Sequence, residues 1–262
     1  MLYQPFFLNA TSHYMRHVAD KCGISHFYTF KAENDGAKAL GIPDDCVDIL
    51  MCCDEDNPTL TVCGTGFSPR RLYLNAGVQY FGIRFRPGCF FTEDKQLSFA
   101  DVVGKDIECE QLPDTYKRMF ESGDFYQMID IFLKSYLPLY SDEADNEKAR
   151  GIMEKILQIE GCCSIEDIAE DSGYCRRHLT RVFKDAYGMT PKTFSDIIRL
   201  QNIIARFRGG MTEVDYQSLV DEFGFYDQSH LLHFFKKYLS MTPKRCDDFV
   251  SDENYLKKLI II

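Results

Sequence analysis

The sequence lacks any apolar run close to the ~20 residues that a membrane-spanning helix needs. Its opening residues, MLYQPFFLNATSHYMRH, also lack the basic segment and the long apolar segment of an export signal. We therefore expect a cytoplasmic protein with no membrane partner. The tail LKKLIII is apolar but too short to cross a membrane, and we expect it to pack on a neighbouring part of the protein.

No Cys-x-x-Cys motif occurs among the 11 cysteines. An odd number of scattered cysteines, in a chain without an export signal, favours reduced thiols over a disulfide framework. One sparse group of histidine and cysteine could bind zinc, but nothing in its spacing fixes a tetrahedral geometry, which favours scattered turn and core residues instead. The sequence therefore predicts no metal site and no cofactor. The members of that group are His13, His17, Cys22 and His26.

Histidine is absent from the whole stretch between Val47 and Phe91. A metalloenzyme that binds its metal on strands, through a His-x-His pair with a distant carboxylate and histidine, would find no such pair here. We therefore predict that the chain is not an enzyme.

The net charge of −10 is distributed unevenly. Residues 150–262 hold 16 Lys/Arg and 17 Asp/Glu, so most of the negative charge lies before them. Between Arg176 and Arg208 the chain has eight basic residues, and its only acids are Asp185 and Asp196. This stripe could be a solvated helix face. It also suits nucleic acid, because local neutralisation of phosphates sets the affinity rather than the overall charge.

The first part of the chain, to about residue 112, consists of short apolar runs separated by turn residues. The run YFGIRFR, residues 80–86, alternates apolar and polar or small residues, which indicates a half-buried strand. Regular short strands favour an antiparallel barrel or sandwich. Asp48 and Arg84 are charged residues inside strand-like runs, and they would either line a ligand pocket or face solvent.

Helical spacing of apolar residues begins near residue 112 and continues to the end of the chain. We predict an α+β protein of two domains, with an N-terminal antiparallel β-barrel and helices over residues 1–140 and an all-α domain over residues 151–262. The polar, acidic residues 141–150 would form the linker. The helices at about 114–140 are candidates for pairing in a homodimer, because their apolar faces exceed what a linker needs.

One pattern occurs twice in the helical part. SGYCRRHLTRVFKDAYGMTP covers residues 172–191 and FGFYDQSHLLHFFKKYLSMTP covers residues 223–243. The residues just before each copy predict a short helix, and the copy itself predicts a turn at Gly173 or Gly224 and then a second helix. This is the pattern of a helix-turn-helix unit. The two units, 164–186 and 215–238, would be joined by a helix that starts at Thr190-Pro191. Two such units about 34 Å apart can enter successive major grooves of DNA.

The second helix of the first unit has two different faces. Leu179, Val182, Phe183 and Ala186 recur at the spacing of a buried helix face. The opposite face is basic, and its residues are Arg177, Thr180, Arg181 and Lys184.

The doubled region strongly resembles the C-terminal domain of the AraC/XylS family of bacterial transcription regulators. The resemblance covers about 110 residues and is carried by DIAEDSGYCRRHLTRVFKDAYGMTP and LVDEFGFYDQSHLLHFFKKYLSMTP. The N-terminal stretch IPDDCVDILM…YFGIRFRPGCFF is similar to the cupin-like sensory domain of one subgroup. The resemblance implies a sequence-specific regulator that binds promoter DNA, contacts RNA polymerase and responds to a small-molecule effector. Activation is common in this family.

The resemblance also implies which residues face DNA. Arg181 lies at the position most often used for a base contact, and arginine is the usual bidentate reader of guanine. Leu232 and His233 stand where family members commonly have Ser-Arg. We therefore expect the first unit to supply most of the base specificity and the second to anchor the protein. The residues implied are Arg176, Arg177, Thr180, Arg181 and Lys184 in the first unit and Gln228, Ser229, His230, His233, Lys236 and Lys237 in the second.

Three alternatives stay open at this point. Leu232 and His233, with the overall acidity, leave room for a regulator that acts mainly through protein contacts with weakened DNA binding. A cupin-type enzyme is disfavoured by the missing histidines. Cys175, at the start of the first recognition helix, could act as a redox switch, because a helix N-terminus and neighbouring arginines lower a thiol pKa, or could be a small N-terminal residue.

Overall fold

The computed structural model describes residues 4, 11, 13–33, 39–91, 97–140, 146–162, 164–208, 216–250 and 258–261. Strands dominate the first part of the chain and helices the second. The strands are β1 (Tyr14–Lys21), β2 (Ile24–Lys31), β3 (Ala39–Gly41), β4 (Asp48–Cys52), β5 (Thr59–Cys63), β6 (Arg70–Leu72), β7 (Gln79–Phe85), β8 (Asp106–Glu108) and β9 (Leu259–Ile261). The helices are α1 (Phe99–Val102), α2 (Asp114–Ser122), α3 (Phe125–Tyr136), α4 (Glu147–Gln158), α5 (Ile165–Ser172), α6 (Arg176–Tyr187), α7 (Pro191–Arg208), α8 (Tyr216–Glu222), α9 (Gln228–Leu239) and α10 (Pro243–Val250).

The main sheet has seven strands in the order β8-β5-β4-β7-β2-β1-β9, and β3 pairs with β6 separately. Neighbouring strands are antiparallel except β1 and β9, which are parallel. The antiparallel strands of the N-terminal region are therefore confirmed. One feature differs from the prediction, because the sheet also includes a parallel strand, β9, which comes from the C-terminal end of the chain. Among the described strands, β8 and β9 remain the two edges of this sheet, so a closed barrel stays a prediction. The pairing of β9 with β1 confirms that the apolar tail packs on another part of the protein.

Both faces of the central strands are covered. On one face α2 and α3 pack against the sheet, and the ring centroids of Phe132 and Phe27 lie 5.9 Å apart. On the other face aromatic rings stack, with Phe30 and Tyr80 5.1 Å apart. This double burial explains why all five residues of β4 are buried instead of alternating.

The apolar faces of α2 and α3 serve mainly this packing within the chain. Met119 of α2 and Met128 of α3 are buried against the sheet. In the described part of this segment, the exposed large apolar side chains are Tyr126, Leu137 and Leu139. The homodimer that these helices suggested stays a prediction.

The helix α4 starts at Glu147, within the stretch that the sequence assigned to a linker. Its start is fixed by Asn146, whose side chain accepts a hydrogen bond from the backbone N–H of Ala149 at 3.1 Å. Residues 141–145 of that stretch lie outside the described residues.

The long helix α7 has two apolar faces, each belonging to a different helix-turn-helix unit. Phe194 and Ile198 belong to the cluster that contains α4, α5 and α6. Ile197, Leu200 and Ile204 belong to the cluster that contains α8, α9 and α10. All five side chains are at most 1% exposed. The helix that was predicted to join the two units is therefore confirmed as α7, and it is called the linker helix below. It holds the two units together by forming part of both cores.

The strand region also enters both of these cores. Val47, Phe99 and Val102 join the cluster of the first unit, while Ile42 joins the cluster of the second. The side-chain amide of Gln201 on α7 donates a hydrogen bond to the carbonyl oxygen of Pro43 at 2.8 Å. The loop 42–47 therefore lies between the sheet and the linker helix.

Gly88 marks a second close approach between the strand region and the helices. Its φ is +73°, and a Cβ at this position would clash with the sulfur of Met153 on α4 and press on the ring of Tyr187 on α6. The ring of Tyr187 also lies 5.8 Å from that of Phe99. Glycine meets both the left-handed backbone and the short distance at this position without any shift of its neighbours.

Asp45 is the least satisfied side chain at this junction. It is 0% exposed, and neither of its carboxylate oxygens has a hydrogen-bond partner. Its backbone N–H donates to Thr65 Oγ1 at 3.0 Å, and its φ is +56°. Burial, followed by the negative charge of Asp44, raises the pKa of Asp45 well above its ordinary value.

We predict that Asp45→Asn stabilises the protein at neutral pH. In the unfolded chain this carboxyl loses its proton near pH ~4, whereas the folded protein retains the proton to higher pH. Unfolding therefore releases a proton in this window, and the wild-type protein loses stability as the pH rises. The variant should have a higher melting temperature near neutral pH, with a gain that shrinks toward pH ~4.

Thermal denaturation followed by circular dichroism over a pH series measures this gain. Asp56→Asn, at an exposed position in the β4–β5 turn, is the matched control and should change little. A variant that is no more stable than wild type at neutral pH would show that Asp45 is not a destabilising buried carboxyl.

Candidate nucleic-acid interface

The turn of the first unit is formed by local hydrogen bonds. The hydroxyl of Ser164 accepts from the backbone N–H of Asp167 at 3.0 Å and caps α5. Gly173, at φ +69°, ends α5 in the left-handed conformation. The backbone N–H of Tyr174 donates a hydrogen bond to the carbonyl oxygen of Ala169 at 3.1 Å. These contacts confirm the helix, glycine turn and helix that the sequence predicted.

The helix α6 buries one face and exposes the other. Leu179 and Phe183 are 0% exposed, while Val182 and Ala186 are half-buried. The side chains that the resemblance assigned to DNA lie on the other face, where four are exposed and one is half-buried. The exposed ones are Arg176, Arg177, Arg181 and Lys184, and the half-buried one is Thr180.

The basic residues of α6 differ in how far they are already engaged. Arg176 forms an ion pair with Glu166 of α5. Arg181 donates from Nη2 to Nδ1 of His178 at 3.3 Å, which leaves its positive charge without an acidic partner among the described side chains. Arg181 therefore retains its full charge for an anionic ligand. Arg176 can bind such a ligand only after its ion pair with Glu166 is broken.

The second unit uses a different set of turn contacts. The carboxylate of Asp227 accepts from the backbone N–H of His230 at 2.7 Å and caps α9. The Nδ1 atom of His230 accepts from the N–H of Tyr226 at 3.3 Å. This contact assigns the proton of the neutral ring to Nε2, which is then a hydrogen-bond donor. The ring of Phe225 is buried beneath, 5.2 Å from the ring of His230.

The exposed face of α9 is more neutral than that of α6. Leu232 is half-buried and His233 is exposed. Lys237 donates to the hydroxyl of Tyr238 at 2.8 Å and lies 3.9 Å from a carboxylate oxygen of Asp196. The exposed side chains of α9 that the resemblance assigned to DNA are Gln228, Ser229, His230, His233, Lys236 and Lys237.

Sequence reasoning missed one exposed aromatic residue of this unit. Tyr226 is 91% exposed in the turn before α9. Its position directly after the Gly224-Phe225 turn was the available signal, because Phe225 enters the core and its neighbour must then point outward.

The two residues predicted to line a ligand pocket, Asp48 and Arg84, form an ion pair with each other. Arg84 Nε and Nη2 donate to Asp48 at 3.0 and 2.6 Å, and Nη1 lies 2.7 Å from Asp44. Burial alone would lower the pKa of Arg84, but Asp44 and Asp48 outweigh burial and raise it. A ligand at this guanidinium would have to displace a carboxylate.

A separate surface cavity of about 600 Å³ lies over β1, β2, β7 and β9. Lys31 and His13 supply its basic groups, Glu33 supplies an acidic group, and Thr29 and Gln79 supply neutral polar groups. Asp48 and Arg84 are not among its lining residues. The sequence did not single out these five polar residues as a group, because three separate segments bring them together.

The sparse histidine and cysteine group does not form a metal site in the described structure. Within the part of the chain that the structure describes, no three histidine, cysteine or acidic side chains converge as metal ligands. Burial, followed by the charges of Arg84 and Arg16, lowers the pKa of His26 to about 2, so its ring is neutral. His17 instead contacts the ring of Tyr126 edge-on, at 6.2 Å.

Two further features bear on the expectations from the sequence. Cys175 is the exposed N-cap of α6, and its side chain makes no capping hydrogen bond. A redox role for this thiol stays a prediction. None of the described helices combines the length and the apolar character that crossing a membrane requires.

Residues 168–247 match the family described as a helix-turn-helix domain. The match begins within α5 and ends within α10, so it includes most of the first unit, the whole of α7 and the second unit. No curated protein matches the chain.

Among solved structures, the chain is similar to ToxT from Vibrio cholerae. A 1.65 Å structure of ToxT shares 12% identity at a TM-score of 0.44, over 85% of this chain and 97% of that chain. An apo variant of ToxT shares 12% identity at a TM-score of 0.45, over 89% and 99% of the two chains. ToxT bound to an unsaturated fatty acid shares 12% identity at a TM-score of 0.42, over 85% and 94%.

We predict that Asp227→Ala destabilises the protein by about 1 kcal/mol, because α9 loses its N-terminal cap. Asp227→Asn retains a capping oxygen and should lose almost nothing. Chemical denaturation followed by circular dichroism measures both. Asp185→Ala removes an exposed acid from α6 and serves as the surface control. Equal losses for Asp227→Ala and Asp227→Asn would argue against a capping role.

Proposed function

The C-terminal part of this chain is an AraC-type helix-turn-helix domain, and from that premise we propose that the chain regulates transcription by binding promoter DNA through α6 and α9. The observation that supports this most directly is the pair of second helices with exposed polar faces, joined by one helix that is buried in both cores. A shared core keeps the separation of the two helices constant, which reading two successive grooves requires.

The two recognition helices have different tasks in this proposal. The helix α6 presents Arg177 and Arg181, whose guanidinium groups can bind guanine in the major groove. The helix α9 presents neutral side chains near its start and Lys236 near its end. It therefore anchors the protein through phosphate contacts and contributes less to base discrimination.

We further propose that the N-terminal sheet is a cupin-like sensory domain that binds a small effector. The cavity lined by Lys31 and His13 is the better candidate for that site, because the donors of Arg84 are already bound to Asp44 and Asp48. Lys31 suits an anionic group on an otherwise largely apolar effector, and Glu33 in the same lining favours a hydrogen-bond donor beside that group. Native mass spectrometry of the purified protein tests for such a molecule.

The remaining parts of the proposal concern the transcription complex. A bound regulator would act as an activator through contact with RNA polymerase, and it could do so as a homodimer. These parts rest on the family resemblance. A transcription assay with purified polymerase, in the presence and absence of the protein, distinguishes activation from repression.

A regulator that acts mainly through protein contacts is the second candidate. The engagement of Arg176 with Glu166, and of Lys237 with Tyr238 and Asp196, favours it because both reduce the charge available to DNA. Selection of duplexes from a random library by the purified chain separates the two. Enrichment of a defined sequence supports DNA reading, and failure to enrich any sequence supports the alternative.

We predict that Arg181→Ala weakens binding to the selected duplex by ~1–3 kcal/mol and relaxes the preference at one base position. His233→Ala should have a smaller effect on base preference, because its ring offers fewer donors than a guanidinium. Fluorescence anisotropy against the selected duplex and its single-base variants measures both effects. Arg71→Ala, an exposed arginine of β6, is the control. A larger loss of discrimination in His233→Ala than in Arg181→Ala would contradict this division of tasks.

We predict a different result for Lys236→Ala. Binding should weaken about equally for all sequences, and the slope of log affinity against log salt should fall by about 1, because one phosphate contact is lost. Anisotropy titrations at several salt concentrations measure the slope. An unchanged slope would mean that Lys236 does not contact a phosphate.

A further inference from the structure

A buried carboxylate on the linker helix connects α7 to the second recognition helix. Asp196 is only 6% exposed, yet it lies in the basic stripe that the sequence revealed. Its Oδ1 accepts from Lys192 at 2.8 Å and from Arg199 at 2.9 Å. Its Oδ2 accepts from the hydroxyl of Tyr238 at 3.0 Å. Both carboxylate oxygens are therefore used, as a buried carboxylate requires.

Arg199 extends this network to the turn at the start of the second unit. Its Nη1 donates to the carbonyl oxygen of Phe223 at 3.2 Å. Its guanidinium also lies over the rings of Phe225 and Phe234, 4.5 and 4.9 Å from their centroids. Through Arg199, Asp196 is connected to the turn from which α9 begins.

Tyr238 provides the second connection, at the other end of α9. Its side chain is 1% exposed, so its hydroxyl has to find a partner inside the protein. Burial, followed by the negative charge of Asp196, raises the pKa of Tyr238, which keeps the hydroxyl protonated as a donor. Asp196 thus contacts the end of α9 directly, and it contacts the turn that precedes α9 through Arg199.

The network reaches the proposed DNA-binding face at Lys237. This side chain is 64% exposed, and its ammonium group donates to Tyr238 and lies 4.4 Å from the centroid of the same ring. The contact restricts the directions that Lys237 can take. Because the neighbouring residues of α9 include His233 and Lys236, a shift of the helix would move all of them relative to a bound duplex.

We propose that Asp196 is a positioning residue that orients α9 on the linker helix for DNA binding. This inference rests on the proposed function, and it adds a determinant that lies inside the protein and contacts no base. Loss of the Tyr238 hydrogen bond releases the end of α9, so the second half of the DNA site is bound less tightly while the first half is unaffected. A displacement of about 1 Å is enough to weaken such oriented contacts strongly.

Tyr238→Phe is the most selective test, because it removes one hydroxyl and keeps the ring in its core. Asp196→Ala removes the oxygen that accepts from Tyr238 together with the charge that faces Arg199 and Lys192. Tyr187→Phe is the matched control, since Tyr187 is a buried tyrosine near the end of α6. Each variant is made in the full chain, and thermal denaturation establishes that it is folded.

The measurement is hydroxyl-radical footprinting on the duplex that the wild-type chain selects from a random library, together with anisotropy on the same duplex. We expect Tyr238→Phe to lose protection over the second half-site, to retain it over the first, and to bind about 10-fold less tightly. Tyr187→Phe should match wild type in both measurements. In the double variant, Tyr238→Phe should add little to Asp196→Ala, because Asp196→Ala has already removed the hydrogen bond of Tyr238.

Three outcomes would overturn the positioning role. The first is a Tyr238→Phe variant with an unchanged footprint and affinity, and the second is equal loss of protection over both half-sites. The third is full additivity of the two substitutions. If the wild-type chain selects no duplex, the proposed function itself fails, and the positioning role fails with it.

Discussion

The burial of α7 is the constraint on which the rest of the helical region depends. Phe194 and Ile198 face one core, and Ile197, Leu200 and Ile204 face the other, all almost inaccessible to solvent. Each such side chain contributes about 1.5–3 kcal/mol on burial. A helix-turn-helix unit alone is too small to cover its own apolar face, and the shared helix covers both. The same burial limits relative motion of the two units, because sliding α7 would open both cores at once.

This burial also imposes a requirement on the polar residues of α7. A buried carboxylate or guanidinium is unfavourable unless its hydrogen bonds are satisfied. Asp196 and Gln201 meet that requirement with partners outside the helix, in α9 and in the loop at Pro43. Arg199 meets it in part, because Nη1 donates to Phe223 while Nε has no hydrogen-bond partner among the described residues. The apolar contacts of α7 therefore supply most of the stability of its packing, and its polar contacts fix its orientation relative to the neighbouring elements.

The strand region and the helical region are joined by shared packing instead of a simple tether. Val47 and Phe99 contribute to one helix-turn-helix core and Ile42 to the other. A change in the loop 42–47 would thus reach the linker helix directly. The buried carboxyl group of Asp45 lies in the same loop and has no hydrogen-bond partner in the described part of the chain, so this junction includes an unfavourable group.

Much of the helical architecture could be predicted from the sequence, because it depends on neighbours within a few residues. The repeated glycine turns, the caps at Ser164 and Asp227, and the apolar spacing around Phe183 and Phe235 are local signals. The exposure of Arg177 and Arg181 follows from the same spacing, since a helix that buries Leu179 and Phe183 must turn those arginines outward.

Other features were decided only by the tertiary structure. The parallel pairing of β9 with β1, the ion pair of Asp48 with Arg84, and the contact of Asp196 with Tyr238 join residues far apart in the chain. The spacing of apolar residues along the chain does not reveal contacts between distant segments. Asp196 looked like one acid in a basic surface stripe, and only the packing of α9 against α7 shows that it is buried. The sequence by itself therefore determined the units and their exposed faces, while the tertiary structure decided which charges are paired internally and which remain available, because pairing depends on distances that only the folded chain establishes.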